Sequence, residues 1–261
     1  LARFGAIEAA EVEAAPAGIH AALDQAIDGP IPRSGVISPD QMDRHGSMMA
    51  GMAQDHPIFT ESIRRIRELL GDTGLQALEQ DILERLVHSS GDPSIAELLR
   101  FSPGACEVGL AALRAGAVIL TDTEMAAAAV TPMARRTLRS TVRTVLEWAP
   151  DQAPKGSTRT AEGIQRAWSS LNENVSVPAP VVLIGSAPTA LERLLNTVSA
   201  GARPASLIIG MPVGFVGVLA SKARLAGCEQ CDIRLEGTRG GAGLVAAAAN
   251  ALLRAAVTAQ A

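Results

Sequence analysis

The side chain best suited to proton transfer in this sequence is His88, which closes a helical pattern just before Ser89-Ser90-Gly91-Asp92. Histidine changes charge nearest neutrality, so it gives or takes a proton at ordinary pH. A histidine at a helix end also serves as a cap or a satisfied core group, and the residues alone leave both readings open. His20, His45 and His56 lie in or beside residues 1–55.

A second kind of chemistry belongs to the backbone. Three apolar runs end in glycine-bearing loops: Gly185-Ser186-Ala187-Pro188-Thr189, then Gly210 to Gly217, then Gly237 to Gly243. Each loop leads into a helical pattern. Glycine lets a backbone approach a ligand closely, and a helix N-terminus offers unpaired N–H groups to an anion. Such loops suit carboxylates or phosphates; the plainer reading is a set of tight strand-to-helix turns. No G-x-G-x-x-G follows a strand and no P-loop lysine is present, which excludes the common dinucleotide and nucleotide signatures. Thr158 and Arg159 open another helix, and the guanidinium suits a carboxylate fork. Arg135, Arg136, Arg139 and Arg143 read as a solvated face. Cys228-x-x-Cys231 is half a zinc site with no second pair, so packing is expected and no metal.

These groups need elements to hold them. From Pro57, Ile58, Ser62, Ile66, Leu69 and Leu70 recur at helical spacing, and a second helix carries Leu75, Leu78, Ile82 and Leu86 up to His88. Gly71-Asp72 and Gly91-Asp92-Pro93 stop them. Short β-branched runs follow at 117–120, 142–146, 181–184 and 207–209, with a weaker one at 233–235. Helical patterns at 124–130, 161–171, 189–198, 215–225 and 244–256 alternate with them. This alternation predicts an α/β fold: three layers, α/β/α, around a mainly parallel sheet. Ligands then bind beyond the carboxyl ends of the strands, where the glycine loops lie.

Residues 1–55 read differently. An Ala-rich amphipathic stretch gives way to Pro30, Pro32, Gly35 and Pro39, then to a Met-, Gly- and His-rich run. The expectation is a partly ordered N-terminal extension, 1–55, before one α/β domain, 56–261. At 48% hydrophobic content the 261-residue chain is long enough for one good-sized core. A net charge of −4 argues against a nucleic-acid partner. The longest apolar stretch, 242–257, is broken by Asn250 and Arg254, which predicts a buried alanine-rich helix rather than a membrane span. Three cysteines make no disulfide framework, and the sequence opens without the apolar core of a secretory signal, so a reducing, cytoplasmic setting is expected.

Several blocks taken in order resemble one family. They are His88-Ser89-Ser90-Gly91-Asp92 with Phe101-Ser102-Pro103, Leu120-Thr121-Asp122-Thr123-Glu124-Met125, Gly156-Ser157-Thr158-Arg159-Thr160-Ala161, Ile184-Gly185-Ser186-Ala187-Pro188-Thr189-Ala190-Leu191, Ile209 to Gly217 with Ser221-Lys222, and Arg239-Gly240-Gly241. Together they are similar to the precorrin-8X methylmutases over roughly residues 57–256. The resemblance implies an isomerase of cobalamin biosynthesis that shifts a ring-C methyl group, from C-11 to C-12. It would convert precorrin-8X to hydrogenobyrinic acid, or the cobalt-bearing equivalent to cobyrinic acid. It implies a tetrapyrrole substrate, no cofactor and a homodimer with the site near the subunit interface. The family's proposed acid corresponds to His88, and its substrate-contacting serine and arginine to Ser62 and Arg85. Thr158 and Arg159 fall in a block near the ligand. Gly185, Gly210, Met211, Gly214, Arg239 and Gly240 complete the expected substrate-binding set, with Met211 and Phe215 covering the ring face. The chain departs from the family pattern at Ser89, Ala126–Ala129, Ser157, Ser186 and Ala220. Those changes keep a second reading in view, a non-catalytic corrinoid binder or carrier; a third is another metabolite enzyme on the same scaffold.

Overall fold

The computed structural model describes residues 56–258. The expected extension, 1–55, with His20 and His45, lies outside the described residues. Two helices come first, α1 (Pro57–Leu70) and α2 (Ala77–Ser90). His56 caps α1, its Nδ1 accepting from the Ile58 N–H at 3.2 Å, and Pro57 stands where no N–H is needed. Gly91, at φ 66°, ends α2 in the left-handed region and donates its N–H to the Val87 carbonyl. A 3-10 turn, Pro93–Glu97, leads on from it.

The sheet elements follow: β1 (Leu99–Phe101), α3 (Ala105–Arg114), β2 (Ile119–Thr121), α4 (Glu124–Arg136), β3 (Val142–Thr144), α5 (Arg159–Leu171), β4 (Val181–Ile184), α6 (Pro188–Ser199), β5 (Leu207–Gly210), α7 (Val218–Ala226), β6 (Asp232–Leu235) and α8 (Ala242–Thr258). The strand order is β1-β6-β5-β4-β2-β3. Every pairing is parallel except β1 with β6, where Leu99 faces Leu235 and Phe101 faces Ile233.

Alternation along each strand divides the core in two. Ile119, Val181, Leu183, Leu207, Ile209 and Ile233 point to the layer of α1 to α4 and α8. Leu120, Val182, Ile184 and Ile208 point to the layer of α5, α6 and α7, with buried Trp168. Helices on both faces make the three-layer α/β/α arrangement that the sequence predicts. The alanine run of α8 is buried from Val245 to Ala249, so this helix seats closely against α2 and α4. No helix among the described residues is long and apolar enough to cross a membrane.

Three readings need correction. β1 and α3 are additional elements. Val145–Glu147 is a 3-10 turn after β3, not strand. Arg143 is not simply solvated: its guanidinium lies 4.4 Å from the Trp148 ring centroid and pairs with Glu147 at 2.5 Å.

Candidate active site

The last turn of α2 and the first turns of α1 bring the predicted acid and its neighbours together. Ser62 Oγ lies 2.8 Å from His88 Nδ1. Phe59, one turn before Ser62, meets the imidazole edge-on, with ring centroids 5.0 Å apart and planes at 79°. The Arg85 guanidinium carbon lies 4.9 Å from the same phenyl centroid, and that of Arg254, on α8, lies 6.0 Å from it. Arg85 also pairs with Asp81 at 3.5 Å. Burial pushes the Asp81 carboxyl up, and the charges of Arg85 and Arg254 pull it back. Ser62, Arg85 and His88 therefore share one face, as the three-residue spacing of Arg85 and His88 requires. Phe59 was not foreseen; its signal is a helical position three residues before Ser62.

His88 itself is exposed. With Nδ1 engaged by Ser62, Nε2 has no hydrogen-bond partner among the described residues and is the nitrogen open to exchange a proton with a ligand. One nitrogen held and the other open is the arrangement that orients a general acid–base.

Arg239, in the loop before α8, reaches across to the turn after His88. It pairs with Asp92 at 2.5 Å and bonds the Ser94 hydroxyl. Asp92 in turn accepts from the Ser94 hydroxyl at 2.6 Å and its N–H at 3.0 Å, and these bonds, with Arg239 beside them, draw its carboxyl below the usual range. The same loop locks onto the one after β5. Gly241 donates to the Met211 carbonyl at 3.0 Å, and Gly214, at φ 133°, to the Thr238 carbonyl at 3.0 Å. Lys222, nearly buried on α7, holds the loop from beneath by donating to the carbonyls of Gly237 at 2.8 Å and Arg239 at 2.6 Å. Burial brings its ammonium down to about 8.

A groove of about 490 Å³ opens between the N-termini of α5 and α6, with Ser157, Thr158, Thr189, Arg193 and Val216 on its walls. Thr158 caps α5 and its hydroxyl lies 2.7 Å from that of Thr189. Ser157, one of the departures from the family pattern, donates to Glu162 at 2.6 Å. Arg159 turns away to the Pro150 carbonyl at 2.9 Å.

The glycines and Met211 behave differently from expectation. Met211 is fully buried, because it continues the inward parity of Leu207 and Ile209, so it cannot cover a ligand face. Phe215, at 89% exposure, remains open. Gly185, Gly210 and Gly240 serve close packing. A Cβ on Gly185 would sit 2.7 Å from the backbone of Gly241 and Ala242, on Gly210 2.5 Å from Leu225, and on Gly240 1.9 Å from the Met211 carbonyl oxygen. The turn after β4 is also not free for an anion. The N–H groups of Gly185, Ser186 and Ala187 all donate to Asp122 Oδ2, at 3.1, 2.6 and 2.8 Å. Of the remaining departures, Ser89 and Ala220 are exposed, whereas Ala126 is fully buried in α4. Among the described residues no group of three or more His, Cys, Asp or Glu is arranged to hold a metal ion.

Comparison with known proteins places the chain in a family. The sequence profile of the family described as precorrin-8X methylmutase matches residues 57–255. The chain is 34% identical to the cobalt-precorrin-8 methylmutase of Synechocystis over 213 residues, covering 76% of this chain and 95% of that one. It is 39% identical over 202 residues to the precorrin-8X methylmutase of Pseudomonas aeruginosa, covering 75% and 93%. The crystal structure of precorrin-8X methylmutase from Thermus thermophilus superposes with a TM-score of 0.68 at 35% identity, covering 77% of this chain and 96% of that one. The match spans the sheet, the His88 cluster and all the loops described above, and the chain belongs to the precorrin-8X methylmutase family.

Proposed function

We propose that this chain, an isomerase of cobalamin biosynthesis by its family, uses His88 as the acid in a methyl shift on a corrin precursor. The observation that carries this reading is the Ser62–His88 hydrogen bond of 2.8 Å at the open end of α2, which leaves Nε2 to the ligand. Substrate and product of a methyl shift are isomers, so a proton lent to the macrocycle must return. An imidazole held at one nitrogen and open at the other can both give and take that proton. A positioned acid of this kind supplies about 10²–10⁴ in rate, and the remainder must come from holding the ring in a reactive shape.

The substrate carries many carboxylates. Arg239 and Arg85 at the His88 end, and the hydroxyls of Thr158 and Thr189 in the groove, are the groups suited to them. Arg159 would reach such a ligand by releasing Pro150. Gly214 shapes the loop that carries Phe215 and Val216, both 89% exposed, which suits an apolar ring face or a second copy of the chain. A homodimer in the cytoplasm is the assembly and setting this reading assigns.

The related enzymes carry both substrate names, so the test uses both pigments. Purified protein is mixed with precorrin-8X and, separately, with cobalt-precorrin-8, and the visible spectrum and product mass are followed. A new chromophore at unchanged mass is expected for one of them. Binding of both without conversion of either would instead support a corrinoid carrier.

A further inference from the structure

Asp122 stands at the carboxyl end of β2, next to the end of β4. These neighbouring strands lead in opposite directions across the sheet, β2 to β3 and β4 to β5, so the crevice between their ends is the topological switch point. In folds of this kind a ligand occupies that crevice. Here the protein's own carboxylate fills it. The side chain is fully buried. Oδ2 takes the N–H groups of Gly185, Ser186 and Ala187. Oδ1 is buried and has no hydrogen-bond partner among the described residues.

Capping alone does not account for this arrangement. The N-cap of α6 is Ala187, which has no side-chain cap. A serine, threonine or aspartate at that position would cap the amides of Thr189 and Ala190 inside the helix and leave those of residues 185–187 without an acceptor. A carboxylate supplied from the neighbouring strand does something a local cap cannot: it fixes where α6 begins relative to the sheet. It does so despite leaving one buried oxygen bare, which is unfavourable in itself.

The turn so fixed is the meeting point of the other loops. The Ile184 carbonyl accepts from Met211 at 2.8 Å and the Gly185 carbonyl from Val213 at 3.1 Å, which ties in the loop after β5. The loop before α8 lies directly on Gly185, with no room for a Cβ. Pro188 and Thr189, next along the chain, form the groove wall, and Thr189 holds Thr158 across it.

We infer that Asp122 is a positioning residue of the methylmutase reaction: by holding the β4–α6 turn it sets the spacing of the loops that bind the substrate carboxylates. This rests on the reading that the substrate lies at these loops. Asp122 does not touch the substrate, so its loss acts on affinity rather than on the chemical step.

Asp122→Asn presents one carbonyl oxygen to the three amides and puts its NH2 where the bare oxygen was. Asp122→Ala removes the acceptor. Asp122→Glu keeps the charge but pushes the turn outward. Steady-state turnover and amide hydrogen exchange of the free protein are measured for wild type and all three. Expected are protected amides at residues 185–187 in wild type and Asp122→Asn, and fast exchange in Asp122→Ala. With substrate, KM should stay within about threefold for Asp122→Asn and rise at least about tenfold for the other two, with kcat within about threefold throughout. Should Asp122→Ala fail to fold, the Asn and Glu variants carry the comparison. An unchanged KM in Asp122→Glu, an Asn variant as impaired as the others, or a fall confined to kcat would each overturn the proposal. If wild type converts neither pigment, the functional reading falls, while exchange in the free protein still decides whether Asp122 pins the turn.

Discussion

Removing the Ser62 hydroxyl separates a residue that acts through His88 from one that acts on the substrate. The bond to Nδ1 is 2.8 Å long, Ser62 is half-buried and His88 is exposed. A bond of this kind contributes about 0.5–1.5 kcal/mol. Phe59 still meets the ring edge-on in its absence, so the imidazole keeps one restraint. At about 1.4 kcal/mol per factor of ten, Ser62→Ala should lower kcat by about 2- to 10-fold. His88→Ala, which removes the acid, should lower it by about 10²–10⁴. If the serine only orients the imidazole, its hydroxyl is worth nothing once the imidazole is gone. The double variant should then be no slower than His88→Ala. Single-turnover conversion of the pigment, followed by its visible spectrum, reads all four proteins. A Ser62→Ala change that slows the His88→Ala enzyme by the same factor as wild type would refute the argument and put the serine on the substrate.

Two further outcomes follow from the loops. Gly240→Ala drives a Cβ onto the Met211 carbonyl at 1.9 Å, where only backbone can yield, so a loss of about 1–3 kcal/mol in denaturant unfolding is expected, and an unchanged midpoint would contradict the packing role of this glycine. Lys222 titrates at about 8 when folded against an ordinary 10.5, so the unfolded chain holds the extra proton in that window and stability should rise with pH from about 8. Cys106, whose thiol burial pushes up to about 12, acts oppositely once pH passes the ordinary thiol value of 9.0. The clean window is therefore pH 8 to 9. There Lys222→Met should flatten the rise, and a variant with the wild-type slope would show the ammonium to be unburdened by burial.

The layered fold was legible because its strands are β-branched runs that alternate with helical patterns. β1 escaped notice for a physical reason. Leu99–Phe101 is three residues long, and its partner β6 is remote in the chain, so nothing local marks it as a strand. α3 carries Gly109 in its middle, which weakens a helical pattern but admits Leu207 closely, a Cβ there lying 2.5 Å from that side chain. Met211 was misassigned although parity with Leu207 and Ile209 was enough to turn it inward. The Ser62, Arg85 and His88 grouping came from family resemblance and spacing, whereas Phe59, which touches both His88 and Arg85, carries no chemical signature of its own. The glycine loops were read as open to an anion because helix N-termini look alike in sequence. Only the pairing of β2 with β4 brings Asp122 to fill one of them.

The most direct test of the account compares pigment binding and turnover in the same His88→Ala protein. Binding is titrated by the shift in the visible spectrum, and conversion is followed over long incubation beside wild type. The account predicts affinity within a few-fold of wild type and conversion slower by about 10²–10⁴. Conversion at the wild-type rate with His88 gone would contradict the assignment of the acid.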